Sequence, residues 1–263
     1  MIAKVLLFAA LQSPLNVMSY NIRYDNPNDG PDAWPNRRAD MVSYLRGRSP
    51  DIIGLQEALR RQLDFLAAGL PEYGEIGVGR DDGATAGEYA AILYRRDRFD
   101  VLDSGTFWFS DTPAVPGSRS WGNNVTRICT WAKLRDRRGG DSLWVYNVHL
   151  DHESQPSRER SVAALIQAIG NRTPVIVTGD FNAGPANPAV RAMTAAGFED
   201  SYPSRDSLDG TFNGFRGDRA GAKIDFIFLR GLAARESRIE RPVTSAGRQL
   251  SDHFPVIAVI DYR

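Results

Sequence analysis

Acidic and amide side chains recur where apolar, strand-like segments of the chain end or begin. The residues that share this placement, together with one adjacent histidine, are Asn21, Glu57, Asp180, Asn182, Asp225, Asp252 and His253. A carboxylate beside an apolar strand is costly to bury unless it is paired or bound to a metal ion. Because five segments repeat the pattern, we predict that these side chains form one polar site.

The donors available to that site are mainly oxygen atoms. The chain has one cysteine and three histidines, so a cysteine-rich zinc site and an internal disulfide are both excluded. Carboxylate and amide oxygens suit hard cations, so we expect Mg²⁺ or Mn²⁺, with Ca²⁺ as a further candidate, in preference to zinc.

The three histidines are His149, His152 and His253, and two of them lie in the polar-tipped segments. Imidazole is the natural proton carrier near neutral pH. Asp225 could orient His253 as the aspartate does in a Ser-His-Asp triad, leaving His253 to deprotonate water or to hold a phosphate. His149 could stabilise a transition state or protonate a leaving oxygen. For His152, a catalytic role and a place on the rim stay equally open.

Alternating strand-like and helical segments must position these residues. Two strand–helix–strand units, residues 17–57 and 144–182, resemble each other, and polar residues end the strands of both. Ligands lie beyond strand ends in many α/β folds. The pattern predicts one domain, residues 14–263, of two packed sheets with helices outside. Predicted strands cover residues 15–22, 51–57, 89–94, 99–109, 125–134, 142–150, 174–178, 223–229, 234–241 and 255–260; predicted helices cover 36–48, 156–169, 188–196 and a segment ending near residue 70.

Composition narrows the classes of partner. With 263 residues, 42% of them hydrophobic, the chain can bury one sizeable core. Its 32 Lys and Arg residues balance 32 Asp and Glu residues, so no net basic field attracts nucleic acid non-specifically. Cleavage of a phosphodiester stays possible, because one bound metal ion can supply the local positive charge.

The first residues have the character of a short signal peptide. Lys4 precedes an apolar run over residues 5–11, and Ser13 and Pro14 follow it. We therefore expect residues 1–13 to be a leader that sends the protein to the periplasm or out of the cell; without cleavage there, a cytoplasmic location is expected. The run is too short to span a bilayer, and we expect no membrane span.

Five segments, in order, resemble the endonuclease/exonuclease/phosphatase superfamily, also called DNase I-like. They are Met-Ser-Tyr-Asn ending at Asn21, Gly-Leu-Gln-Glu ending at Glu57, Asn-Val-His-Leu around His149, Gly-Asp-Phe-Asn ending at Asn182 and Ser-Asp-His-Phe around His253. The resemblance implies a four-layer αββα sandwich, with two mixed β-sheets packed face to face and helices outside. A bacterial branch of metal-dependent phosphoesterases shares Tyr-Asn-Ile-Arg-Tyr-Asp, which begins here at Tyr20.

The resemblance also implies roles for individual residues. It implies that Glu57 is the main metal ligand, with Asn21 and Asp252 close by, and that Asp180 activates the water. Phosphate contacts fall to Asn182, His253 and Arg127, while His149 is the second catalytic histidine. Two supporting residues complete the set: Asp225 pairs with His253, and Glu88 supports His149.

The predicted activity is therefore Mg²⁺- or Mn²⁺-dependent hydrolysis of a phosphoester by in-line attack of an activated water, most naturally as a phosphodiesterase or nuclease. Two alternatives stay open: a phosphomonoesterase acting on a sugar or inositol phosphate, and an inactive binding scaffold of the same fold. The expected substrate is a nucleic acid, a lipid headgroup or a small phosphodiester, and a monomer is expected. Loop residues that could choose the substrate are Trp34, Trp108, Trp121, Phe212, Arg23, Arg37, Arg38 and Arg158.

Overall fold

The computed structural model describes residues 13–139, 142–203 and 209–263, so the predicted leader lies almost entirely outside the described residues. Within them the strands are β1 (Leu15–Asn21), β2 (Ile52–Ala58), β3 (Tyr73–Ile76), β4 (Tyr89–Arg95), β5 (Phe99–Trp108), β6 (Ile128–Asp136), β7 (Ser142–His149), β8 (Val175–Asp180), β9 (Glu199–Asp200), β10 (Asp225–Arg230), β11 (Leu232–Ile239) and β12 (Val256–Tyr262). The α-helices are α1 (Trp34–Arg48), α2 (Arg60–Gly69), α3 (Gln155–Ile169) and α4 (Pro188–Ala195), and a 3₁₀ segment spans Pro27–Asp32.

The strands form two six-stranded sheets with the same internal plan. The first has the order β11-β12-β1-β2-β4-β3 and the second β5-β6-β7-β8-β10-β9. In each sheet the two central strands are parallel, β1 with β2 and β7 with β8, and the neighbours on both sides pair antiparallel. The internal similarity predicted from the sequence is therefore a repeated β-α-β unit, one at the centre of each sheet.

Successive side chains of a strand point to opposite faces of its sheet, and the apolar side chains therefore divide among three layers of core. Val17 of β1 points into the layer between the sheets, where Ile92 and Val145 also lie. Its neighbour Met18 belongs to the layer that α1 and α2 cover, and a third layer packs the other sheet against α3 and α4. Helices outside two stacked sheets make the αββα sandwich that the sequence predicted.

A buried amide joins the two sheets close to one end of their central strands. Nδ2 of Asn147 on β7 donates to the carbonyls of Leu55 (2.8 Å) and Ala91 (2.9 Å) in the other sheet. Oδ1 of Asn147 accepts from Nε2 of Gln56 (2.7 Å) and from Oγ1 of Thr178 (3.0 Å). All four hydrogen-bonding positions of this amide are filled, as a buried polar group requires.

The predicted elements agree with the observed ones except in a few places. The short strands β3 and β9 were not predicted, since four and two residues are too few to carry a periodic pattern. Strand β6 begins at Ile128 rather than at Val125, so the predicted site residue Arg127 lies just before it. None of the helices in the described parts of the chain is long and apolar enough to cross a membrane.

The two sheets approach each other closely at Gly54 on β2, and replacement of this glycine by alanine tests that packing. A Cβ there would lie 2.0 Å from Oγ1 of Thr178 and 2.7 Å from Oδ1 of Asn147. We expect Gly54→Ala to lower the free energy of unfolding by about 1–3 kcal/mol, because the extra methyl group overpacks a filled interface.

Urea denaturation of Gly54→Ala beside Gly47→Ala makes the measurement. Gly47 is exposed in α1 and a Cβ there meets nothing within 4 Å, so alanine should be neutral or stabilise by up to about 1 kcal/mol. Equal stability of the two variants would contradict the assigned packing.

Candidate active site

A cleft of about 490 Å³ opens where the central strands of both sheets end. It is lined by Arg23, Tyr24, Glu57, Arg80, Glu88, Val125, Arg127, His149, His152, Asp180, Asn182, Phe212, Ile224, Asp252 and His253. Eight of the ten predicted site residues are among them. The other two, Asn21 and Asp225, are fully buried behind it and contact its lining.

Strands β1 and β2 deliver Asn21 and Glu57 side by side. Glu57 is the extra residue of a β-bulge opposite β4 and has a left-handed φ of 64°. Bulges re-aim side chains, and such strain in a non-glycine residue is found mostly at functional sites. Nδ2 of Asn21 donates to Oε1 of Glu57 and to Oδ2 of Asp180, both at 3.0 Å. Asn21 thereby joins the carboxylates of the two sheets.

The orientation of the Asn21 amide bears on its predicted role as a metal ligand. Its Oδ1 accepts from the backbone N–H of Arg23 at 3.0 Å, and its N–H groups face the carboxylates. With this orientation Asn21 acts as a donor that orients Glu57 and Asp180. Direct ligation by its oxygen requires the amide to turn over.

In the second sheet, β7 and β8 end side by side at His149 and Asp180, which face each other in the parallel register. Oδ1 of Asp180 accepts from the backbone N–H of Asn182 at 2.8 Å, which fixes the carboxylate. Asn182 has a left-handed φ of 47°, and its amide donates to the carbonyl of Leu150 at 3.0 Å. No described residue accepts from the second N–H of that amide, so this N–H can bind another acceptor.

His253 lies between two buried carboxylates. Its Nδ1 is 2.9 Å from Oδ2 of Asp225, and its Nε2 is 3.7 Å from Oδ2 of Asp180. Burial alone would lower the pKa of His253, but Asp225 and Asp180 outweigh that effect and raise the pKa well above its ordinary value. The predicted contact between His253 and Asp225 is therefore present.

His149 has the opposite electrostatic surroundings. Its Nε2 lies 3.7 Å from Oδ2 of Asp180, yet burial and the cations Arg127 and Arg80 lower its pKa well below the ordinary value. The cleft thus holds one histidine that favours its charged form and one that favours its neutral form. Environments that push apart the pKa values of like groups are typical of acid–base pairs in active sites.

Three carboxylates of the cleft are shifted towards their neutral forms. Burial, followed by the nearby Asp225, raises the pKa of Asp180 to about 7. Burial is also the main cause that raises the pKa of Glu88 to about 7 and that of Asp252 to about 6, and in both cases the charge of Glu57 adds to it. Several buried carboxylates thus lie close together in the cleft, and a cation bound among them would stabilise their charged forms.

Two groups of residues offer ligands for such a cation. Asp180, Asp225 and His253 each place a ligand atom within 4.8 Å of the others. The second group is the one predicted from the sequence, Glu57 and Asp252 with Asn21 behind them. In the first group both ring nitrogens of His253 already face carboxylates. In the second group the oxygens of Glu57 accept from Asn21 and from the backbone N–H of Tyr24, which fixes the carboxylate in the cleft.

Arg127 is a buried cation with few partners. It is 3% exposed, and its Nε and Nη1 have no hydrogen-bond acceptor among the described residues. Its Nη2 lies 2.9 Å from Nδ1 of His152, and the nearest carboxylate oxygen, on Asp151, is 3.7 Å from Nε. Buried N–H groups without acceptors are costly, and an oxyanion bound beside Arg127 could supply those that are missing.

Arg80 is a cleft residue that the sequence analysis missed. Its guanidinium forms two hydrogen bonds with Glu88, at 2.6 and 2.9 Å, and Oε2 of Glu88 lies 3.7 Å from Nδ1 of His149. Glu88 therefore lies where the resemblance expects it. Arg80 stands in a glycine- and aspartate-rich loop without periodicity, so no local signal marks it.

Most of the aromatic and arginine residues proposed to choose the substrate lie elsewhere. Trp34 and Trp108 are buried, and Arg37 is a core residue that donates to backbone carbonyls. Trp121, Arg38 and Arg158 are not part of the cleft lining. Arg23 and Phe212 do line it, and Phe212 is 47% exposed with its ring edge-on to His253.

The model of the endonuclease/exonuclease/phosphatase family matches residues 18–253, a span that contains every residue of the predicted site. The chain belongs to this family. Its members are phosphoester hydrolases that generally depend on a divalent metal ion, and the chain is an enzyme of that hydrolase class.

Solved structures of bacterial proteins are similar over almost the whole chain. A family member from Bacteroides vulgatus is 38% identical with a TM-score of 0.88, covering 96% of this chain and 100% of that one. A mannosyl-6-phosphatase from Bacteroides thetaiotaomicron is 35% identical with a TM-score of 0.86, covering 94% and 100%.

Curated relatives match over shorter stretches. A protein of Acanthamoeba polyphaga mimivirus is 28% identical over 160 residues, which are 57% of this chain and 59% of that protein. The match to Drosophila nocturnin spans only 25% of nocturnin's length.

Binding of inorganic phosphate tests the role of Arg127 without any turnover. We expect phosphate to raise the melting temperature of the wild-type protein, since a ligand at about 100 times its dissociation constant stabilises by about 2.7 kcal/mol. Arg127→Met should lose most of this shift. Differential scanning calorimetry with and without phosphate gives the measurement.

Arg135→Met is the matched control, because Arg135 is exposed and pairs with Asp100 on the surface. Comparing the phosphate-induced shift within each variant cancels any loss of basal stability. An unchanged shift in Arg127→Met would remove Arg127 from the phosphate site.

Proposed function

We propose that this protein is a divalent-metal-dependent hydrolase of small phosphoesters, with sugar phosphate monoesters as the leading substrate class. The observation that carries the proposal is the position of Arg127, which lines the same cleft as Asp180 and His253 and whose Nε and Nη1 have no hydrogen-bond acceptor among the described residues. Phosphoester hydrolysis uses both a group that binds the phosphate oxyanion and a group that activates water, and this cleft holds candidates for each.

Two arguments favour a monoester over the diester expected from the sequence. A monoester carries an extra negative charge, and Arg23, Arg80 and Arg127 all line the cleft. The 35% identical relative that is a mannosyl-6-phosphatase also supports a sugar phosphate. A phosphodiester is the second candidate, because the exposed face of Phe212 beside His253 offers a surface on which a base can stack.

The proposed metal site is formed by Glu57 and Asp252. The chemistry of the donors fits Mg²⁺ or Mn²⁺, because both groups are carboxylates and hard cations prefer oxygen ligands. The charge of Glu57 also contributes to the raised pKa of Asp252, so the two carboxylates interact. When bound, such an ion supplies positive charge to the phosphate and to the leaving oxygen. Asn21 holds Glu57 in position from behind.

The remaining steps belong to side chains of the chain itself. Asp180, fixed by the backbone N–H of Asn182, accepts the proton of the attacking water. His253, kept charged by Asp225, binds a phosphate oxygen together with Arg127 and Asn182. Nε2 of His149 is also 3.7 Å from Oδ2 of Asp180, and Glu88 supports His149 at its Nδ1. These donors hold the charge that develops on phosphorus, and no covalent intermediate is required.

We further propose that the protein acts as a monomer, since one chain supplies every residue of the proposed site; light scattering of the purified protein tests this. Export remains a proposal that depends on residues 1–13, and N-terminal sequencing of the protein from its native host tests it.

Substitution of the two central carboxylates tests the mechanism. Glu57→Gln and Asp180→Asn should each reduce kcat to background, because the first removes a proposed metal ligand and the second the proton acceptor. His253→Ala should cost about tenfold to a thousandfold, the range of lost acid–base or oxyanion assistance.

Steady-state kinetics and circular dichroism of the same samples make the comparison. Asp103→Asn is the matched control, because Asp103 is an exposed carboxylate on the edge strand β5. Near wild-type turnover in a folded Glu57→Gln or Asp180→Asn protein would exclude the role assigned to that residue.

A substrate panel separates the two candidate activities. We expect mannose 6-phosphate and p-nitrophenyl phosphate to be hydrolysed in Mg²⁺ or Mn²⁺, bis-p-nitrophenyl phosphate and plasmid DNA to react much more slowly, and EDTA to stop all turnover. Phosphate release and p-nitrophenol absorbance are the readouts. Faster hydrolysis of the diesters would instead indicate a phosphodiesterase or nuclease. Turnover that continues in EDTA would contradict a metal-dependent mechanism.

A further inference from the structure

The loop after β1 holds an arginine in an unusual backbone conformation beside the proposed metal ligands. Arg23 has a left-handed φ of 56°, a conformation that costs a non-glycine residue free energy and persists only where the surroundings enforce it. Its N–H donates to Oδ1 of Asn21, and its carbonyl accepts from Nη2 of Arg37 and Nε2 of Gln62, each at 2.9 Å. The backbone of Arg23 is thus fixed from three directions.

The guanidinium of Arg23 is fixed as firmly as its backbone. Nε and Nη2 both donate to the carboxylate of Asp29 at 3.0 Å, and Nδ2 of Asn26 donates to the same carboxylate at 3.1 Å. A bidentate pair of this kind has a defined geometry and holds the planar group in one orientation. Arg23 is therefore a cation at a set position in the cleft wall.

That position lies between the two carboxylates of the proposed metal site. Nη1 of Arg23 is 3.9 Å from Oε2 of Glu57, and Nε is 3.8 Å from Oδ2 of Asp252. Both distances are too long for hydrogen bonds but short enough for strong electrostatic interaction. Oε2 of Glu57 also accepts from the backbone N–H of Tyr24 at 3.1 Å, so its distance from Arg23 is set by the loop.

We propose that Arg23 sets the metal affinity of the site: its fixed positive charge partly neutralises Glu57 and Asp252, so that they bind a divalent cation weakly and exchangeably. The inference rests on the proposed metal site. Arg23 would act on the metal site through its charge, because it forms no hydrogen bond with either carboxylate. Without that charge, the same carboxylates attract a dication more strongly.

Mn²⁺ binding, measured by electron paramagnetic resonance of the free ion, tests the proposal without turnover. We expect Arg23→Met and Arg23→Gln to bind Mn²⁺ at least about tenfold more tightly than the wild type. Gln keeps a donor for Asp29, so it serves if the Met variant does not fold. Arg23→Lys keeps the charge and should stay within about threefold of the wild type.

Arg61→Met is the matched control for loss of one positive charge. Arg61 is an exposed neighbour on α2 that pairs with Asp25, and its removal should leave Mn²⁺ affinity unchanged. Unchanged or weaker affinity in Arg23→Met and Arg23→Gln overturns the inference. An equal gain in Arg23→Lys also overturns it, because geometry rather than charge would then be the cause.

Glu57→Gln separates failure of this inference from failure of the proposed function. Mn²⁺ binding by the wild type that Glu57→Gln abolishes establishes the site, and the Arg23 variants then decide the inference alone. Binding that survives Glu57→Gln, or no binding by the wild type and Arg23→Met alike, overturns the proposed metal site and the inference with it.

Discussion

The amide of Asn147 is the contact on which the geometry of the cleft depends, because it fixes the spacing of the two sheets just behind it. The groups it bonds, Gln56 on one sheet and Thr178 on the other, stand one and two residues before Glu57 and Asp180. A buried amide with all its partners in place permits one register between the sheets, whereas apolar packing alone tolerates sliding. The strand ends, and the charged side chains beyond them, are therefore held in one arrangement.

Fixing the strand ends concentrates negative charge, and much of the local structure offsets that charge. His253 lies between Asp225 and Asp180, and Arg23 lies between Glu57 and Asp252. Burial nevertheless raises the pKa of Asp180 to about 7 and that of Asp252 to about 6, and the neighbouring carboxylates add to this effect. Buried carboxylates with raised pKa values, together with a buried arginine, Arg127, whose Nε and Nη1 have no hydrogen-bond acceptor among the described residues, are typical of a site that binds ligands.

Much of the fold and of the cleft could be predicted from the sequence for a definite physical reason. Hydrophobic periodicity predicts those strands and helices that are long enough to show a periodic pattern. The polar residues predicted at strand ends also lie at or next to strand ends in the structure. Five ordered motifs then predicted a family that the match of the family model to residues 18–253 confirms. Short elements such as β3 and loop residues such as Arg80 were not predicted, because neither periodicity nor a motif marks them.

The sequence by itself determined the fold class, the family and the set of chemical groups in the cleft, because these follow from residue types and their order along the chain. Tertiary structure alone decided how those groups meet. Asn21 and Asp180 are 159 residues apart in sequence and 3.0 Å apart in space. Whether a buried histidine is charged, or an arginine lacks a partner, depends on such distances, because electrostatic interactions fall off with separation in space and not along the chain.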